Sequence, residues 1–256
     1  MSAARPRLSI RDVLTDGRIA LMLPLGFSSG LPFLLVFSTL SAWLREAGVS
    51  RTDIGMLSWL GFAYAWKFLW AQVIDRYDVP GLAWMLGRAR GWMALAQIVI
   101  AAGLIGIALS DPKTSLAMTV ACALLVAFAS ATQDVVIDGW RINAAETARQ
   151  GMMAAAYQLG YRLALICAGA GALYIAEFVD WRAAYVSMAA LMGVGLLGTC
   201  LAPPHERFLV KMRRPAKLGH SLRIQLLELW ANCLDGSAII DEGYRTGNDP
   251  PFSPVG

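Results

Sequence analysis

Lys67, Asp134, Asp138 and Arg162 stand inside, or at the ends of, stretches that are otherwise almost free of charge. A charge at the centre of a bilayer costs roughly 2.5–3.5 kcal/mol on insertion scales, so each needs a partner, a polar cavity or a route to the interface. Arg162 lies eleven residues beyond Gly151, about 16 Å along a helix, near the middle of a span. It lines a polar cavity or belongs to a buried structural pair. Lys67 lies seven residues before Ile74, about 10 Å from a helix end, where snorkelling is easier. Tyr64 and Trp70, three residues to either side, share its helical face; they line the same cavity or pack over the lysine stem. Asp134 and Asp138 are one turn apart on one face, and Arg141 is placed to pair with Asp138. A helix-end charge cluster accounts for Asp138 and Arg141. Asp134 lies deeper, where desolvation favours the neutral, proton-carrying carboxyl group, which makes it a candidate for proton binding.

The elements that must position these groups are helices long enough to cross a bilayer. Of 256 residues, 57% are hydrophobic and 16% charged, against about 25% charged in soluble domains. A span needs roughly 20 mostly apolar residues, and six stretches supply it: Ile19–Leu44, Ile54–Ile74, Gly91–Ser110, Thr114–Gln133, Gly151–Ala176 and Ala183–Pro204. Gly26, Gly30, Pro24, Pro32 and Gly160 do not break them, because membrane helices tolerate both residue types. Gly26 and Gly30 form a GxxxG, which permits close helix packing and recurs by chance in glycine-rich membrane chains. The expected fold class is an all-α membrane protein, a six-helix bundle. Residues 1–18 precede it, residues 19–204 form it, and residues 205–256 make a tail that is basic and then disordered.

With the N-terminus inside, fifteen Lys and Arg residues fall near the membrane on cytoplasmic segments and four on the outside. This positive-inside bias places both termini in the cytoplasm. It also assigns the net charge of +4 to topology rather than to nucleic acid. Outside loops are expected at about 45–53, 111–113 and 177–182. In the loop after the second span, Asp75-Arg76-Tyr77 ends one helix and Arg88-Ala89-Arg90 begins the next. Asp75 facing Arg76, Arg88, Arg90 and Arg141 could form a cytoplasmic latch that biases one access state. The plain alternative is positive-inside charge alone. The cysteines and the two histidines show no metal-ligand spacing, and no hydrolase, transferase or nucleotide-binding constellation occurs, so neither a metal, a cofactor nor an enzyme activity is expected.

The runs Gly26–Phe33, Lys67–Trp70, Asp75–Tyr77 and Arg88–Trp92, with Ser130–Trp140 and Tyr157–Arg162, resemble the N-terminal half of AmpG-type muropeptide permeases of the major facilitator superfamily. The resemblance covers about residues 18–203; its more specific pieces are Gln133-Asp134…Asp138 and Gly160-Tyr161-Arg162. It implies a proton-coupled carrier in the inner membrane, importing anionic cell-wall fragments. Lys67, Asp134 and Arg162 would line the central cavity, the two cations suiting carboxylates on the substrate. Tyr64, Gln133, Gln158 and Tyr161 would join them in substrate binding, and Asp134 with Asp138 in proton coupling. Transporters of this type carry two similar halves. The expected partners are therefore the bilayer, a small anionic substrate, and a second half-transporter or a second copy of this chain. Other readings are a carrier of acyl-coenzyme A or another bulky anion, and a truncated membrane protein that transports nothing.

Overall fold

The computed structural model describes residues 16–56, 61, 71, 74, 76–144 and 147–203. Every element among them is helical: α1 (Gly17–Leu34), α2 (Leu40–Glu46), α3 (Arg51–Met56), α4 (Leu82–Leu86), α5 (Arg88–Leu109), α6 (Leu116–Ala144), α7 (Thr147–Ile166), α8 (Ala172–Phe178) and α9 (Trp181–Leu201). Five stretches are long and apolar enough to cross a membrane: Gly17–Glu46, Arg88–Leu109, Leu116–Ala144, Arg149–Phe178 and Trp181–Leu201. They coincide with the first and the third to sixth expected spans. Most of the second, Ile54–Ile74, lies outside the described residues, as do Tyr64, Lys67, Asp75 and the tail from residue 204. Five of the six expected spans are therefore observed, and the second lies mostly outside the described residues. The chain divides into a unit Met1–His205 and a unit Glu206–Gly256, and the described residues all belong to the first.

Helix ends follow local chemistry. Asp16 caps α1 by accepting from the Arg18 backbone N–H, and Asp180 caps α9 by accepting from the Ala183 N–H at 2.5 Å. Both satisfy amides that a helix start leaves without a partner. Ser50 and Asp53 bond reciprocally at the start of α3. After α2, Gly48 takes φ +84°. The Gly48 N–H then reaches the Arg45 carbonyl and the Val49 N–H the Leu44 carbonyl, a left-handed cap that favours glycine. Pro24 and Pro32 lie inside α1. Shortly after Pro32 the backbone passes through a π-helical segment, Leu35–Thr39. A second π segment, Cys167–Gly171, joins α7 to α8, and the Thr39 hydroxyl donates to the Ala168 carbonyl across the pair at 2.8 Å.

α1 is the centre of the bundle, packed against α7, α9 and α6, while α5 packs on α6 and α9. Lipid tails are as apolar as leucine, so close backbone approach replaces the hydrophobic effect as the main adhesive. The GxxxG of α1 is used in this way: a methyl group at Gly26 would stand 2.1 Å from the Tyr157 carbonyl oxygen, and one at Gly30 would stand 2.6 Å from that of Tyr161. Gly160 answers from α7, where a methyl group would meet the Leu23 carbonyl oxygen at 2.1 Å.

Two apolar clusters fill the interior. One gathers Leu31, Leu35, Leu40, Leu44, Ile100, Leu104, Val126, Tyr185 and Met192. The other gathers Ile19, Met22, Leu25, Met93, Val136, Ile137, Trp140 and Met153. Along α1, α5, α6 and α9 the chain passes from one cluster to the other through polar residues, and these form the candidate site.

Candidate functional site

The polar layer begins at Ser28, which is fully buried. Its hydroxyl donates to the Leu25 carbonyl at 2.9 Å and accepts from Gln133 Nε2 at 2.7 Å and from Gln97 Nε2 at 3.4 Å. Gln97 Oε1 in turn accepts from the Thr199 hydroxyl at 2.9 Å. Four helices are joined by these bonds, with an apolar cluster on either side. Two buried acceptors on α6, Ser130 Oγ and Gln133 Oε1, have no protein partner among the described residues. Buried polar atoms are seldom left so.

Beside this layer the Ser29 hydroxyl donates to Asp134 Oδ1 at 2.5 Å. That is the length expected when the acceptor is ionised. Asp134 is partly accessible, unlike its neighbour Gln133. Helix α7 presents Tyr157 and Tyr161 to the same region: their ring centroids are 6.4 Å apart, and both hydroxyls feel the Asp134 carboxylate. The crossing of Gly26 and Gly30 on α7 sets this arrangement, because it is the Tyr157 and Tyr161 backbone that the glycines touch. One carboxylate, one serine and two tyrosines thus form a wall that can hold a transferable proton and bond a polar ligand.

The expected site residues are distributed as follows. Tyr161 stands at the Asp134 wall, half-buried. Gln158 and Arg162 are exposed one turn apart on the other face of α7, beside exposed Leu159, Leu163 and Ile166. Arg162 has no ion pair among the described residues. Gln133 is fully buried; its Nε2 donates to Ser28, while its Oε1 has no protein partner among the described residues. Asp138 pairs with Arg141 at 3.1 Å, as expected for neighbours at that spacing. Helix α6 runs on to Ala144, beyond the expected end of the fourth span. The charges from Asp134 to Arg141 are compatible with helix, so they do not end it.

The arginines of the expected latch, Arg76, Arg88, Arg90 and Arg141, lie at the end of the bundle that also holds Arg18 and Arg149. Arg90 donates to the carbonyls of Leu86 and Ala202, at 2.6 and 2.8 Å. Arg18 donates to that of Ala144 at 2.8 Å, and Arg149 pairs with Asp16 at 2.6 Å. Arg76 is exposed. Arg88 forms an ion pair with Asp78, an acid that the spacing argument passed over in favour of Asp75. The hydrogen bond from Arg88, opposed by a little desolvation, holds the Asp78 carboxyl below the usual carboxylate range. A depressed carboxylate stabilises the fold above its unfolded value, near pH 3.9, and loses that contribution as pH falls through the folded value. Because Asp78 is 56% exposed, the pair contributes at most about 1 kcal/mol. Asp78→Asn is therefore expected to leave the thermal midpoint within about 2 °C at pH 7, and a larger drop would show that the pair is part of a wider network.

Sequence reasoning missed Ser28, Ser29, Gln97, Thr199 and Tyr157. The signal available was one polar residue at mid-span in helix after helix, which a search for charges does not register.

The sequence was also compared with known proteins. Residues 22–234 match the family model of the Major Facilitator Superfamily. The anhydromuropeptide permease of Escherichia coli (strain K12) is 38% identical over 192 residues, covering 75% of this chain and 38% of that protein. A Rickettsia felis protein carrying the transporter name AmpG 4 is 30% identical over 191 residues, 73% of this chain and 46% of its own. An uncharacterised Haemophilus influenzae protein is 36% identical over 174 residues, 68% and 40% of the two chains. The chain thus spans less than half the length of these curated relatives. The resemblance seen in the motifs and the transporter reading, as against an enzyme, agree with these matches. Helices of membrane-spanning length, close glycine crossings and a polar layer at mid-bundle complete the case: the chain belongs to the major facilitator superfamily.

Proposed function

We propose that this chain forms one six-helix half of a secondary transporter that imports cell-wall muropeptides with protons. The observation that carries the reading is the Asp134 wall, a partly accessible carboxylate bonded by Ser29 at 2.5 Å within a chain that resembles an anhydromuropeptide permease. Asp134 exchanges the coupled proton, with Asp138 one turn nearer the basic end. Arg162, Gln158 and Tyr161 from α7 and Lys67 and Tyr64 from the second span bind the anionic substrate. The exposed face of α7 and α8 supports a second half as partner, supplied by another chain or by more of the same protein. Alternating access then rocks one half against the other around the midplane site. The basic end faces the cytoplasm of a cell with an inner membrane, and Arg88 and Arg90 close that end against Asp75 and Asp78.

The test is uptake of radiolabelled anhydromuropeptide into liposomes containing the full chain, with the outside acidified. The expected result is accumulation above that of empty liposomes, abolished by a protonophore and unaffected by excess acyl-coenzyme A. Accumulation of labelled acyl-coenzyme A instead would replace the substrate assignment. Absence of any uptake, with the chain folded and inserted, would refute transport by this chain alone.

A further inference from the structure

The end of the bundle opposite Arg18, Arg90 and Arg149 holds a cavity of about 350 Å³. Three connections build its wall: Trp43, Glu46 and Ala47 at the end of α2, Ser110 to Lys113 between α5 and α6, and Asp180 to Arg182 at the start of α9. The apolar cluster of Leu44, Ile107, Ala108 and Tyr185 lies between it and the polar layer, so it is a separate site. Trp43 and Trp181 stack at one side, centroids 5.8 Å apart and planes within 9°. The Trp181 indole N–H donates to Glu46 Oε2 at 2.9 Å, and Trp43 also lies against Tyr185 at 5.3 Å. This aromatic wall is therefore fixed from two sides.

The charges around the cavity define what fits it. Lys113 and Arg182 share the wall with Glu46, Asp111 and Asp180. Among the described residues, neither cation forms an ion pair with any of these carboxylates. The backbone accounts for part of this separation. One Asp180 oxygen accepts the Ala183 N–H at the helix cap, one Asp111 oxygen accepts the Lys113 N–H at 3.0 Å, and one Glu46 oxygen is bonded to Trp181. Each carboxylate is anchored where it stands, with a second oxygen left over. Charges of both signs thus line one concavity without neutralising one another.

We propose that this cavity binds a small zwitterion carrying an ammonium and a carboxylate, an amino acid or dipeptide. Its carboxylate is received by Lys113 and Arg182, its ammonium by Asp111 and Glu46, and its apolar part by the edges of Trp43 and Trp181. The volume, near the lower end of the range for small-molecule sites, accommodates a dipeptide. That this end faces away from the cytoplasm rests on the topology proposed above; binding itself does not.

The test is isothermal titration of the full chain, in lipid nanodiscs, with alanyl-alanine. Saturable binding is expected, weakened at least tenfold in Lys113→Gln/Arg182→Gln and in Asp111→Asn. All three side chains are exposed, so these variants are expected to fold, and their thermal midpoints check it. N-acetyl-alanyl-alanine amide, which carries neither charge, should not bind. Absence of saturable binding, equal binding in the variants, a response to N-acetylglucosamine in place of the dipeptide, or loss of binding in Asp134→Asn would each overturn the assignment, the last by placing the probe in the polar layer. Titration needs no gradient and no transport, so failure of uptake and failure of this site are read separately.

Discussion

Adding one methyl group at Gly160 is expected to destabilise the bundle by about 2 kcal/mol or more. In an open helix, Gly→Ala stabilises by about 1 kcal/mol. At Gly160 the new carbon would lie 2.1 Å from the Leu23 carbonyl oxygen and 3.0 Å from both Leu23 C and Phe27 N. These are backbone atoms of the central helix, and no rotamer change moves them aside. Overpacking of a rigid contact costs typically 1–3 kcal/mol, and here α1 and α7 must separate along the crossing that also seats Gly26 on Tyr157. The measurement is the thermal midpoint of the purified chain in mild detergent, with Gly193→Ala as the reference. Nothing lies within 4 Å of a methyl group at Gly193, so that variant should match or exceed the parent. Equal midpoints for Gly160→Ala and Gly193→Ala would mean that the α1–α7 crossing is looser than described.

The second large effect is on function. Asp134→Asn is expected to lower muropeptide uptake at least about tenfold and to flatten its dependence on outside pH. The asparagine carbonyl can still accept the Ser29 hydroxyl, so the contact between α1 and α6 survives, and the thermal midpoint should change little. Only the exchangeable proton is lost. In the parent, uptake rises as the outside is acidified, because a proton must load onto the carboxylate for each cycle; the amide cannot take one. Uptake by Asp134→Asn with the parental pH dependence would remove Asp134 from coupling. A collapse in midpoint together with uptake would assign it to structure instead.

The sequence alone was enough for the class of molecule, because hydrocarbon imposes a length and a composition that few other environments require. The first, third, fifth and sixth apolar stretches became helices of membrane-spanning length within a few residues of their expected bounds, and the fourth did so with its end eleven residues further on, at Ala144. The pairing of Asp138 with Arg141 was legible for a related reason: it depends only on helical period. Asp134 was singled out by depth in the span, which is also a one-dimensional property.

What depended on depth across the bundle rather than along it was not legible. Gln133 and Asp134 are adjacent in sequence, yet one is sealed against Ser28 and the other remains partly accessible, because the packing of α1 on α6 selects the face. Arg162 could be placed near the midplane but not turned; Tyr157, Gly160 and Tyr161 meeting α1 point it outward. The GxxxG of α1 was one chance-frequency motif until Gly160 on α7 was found opposite it. The neutral residues Ser28, Gln97 and Thr199 carry no insertion penalty large enough to mark them singly. They form a layer only because four helices bring them to one level, and that is a decision of tertiary structure.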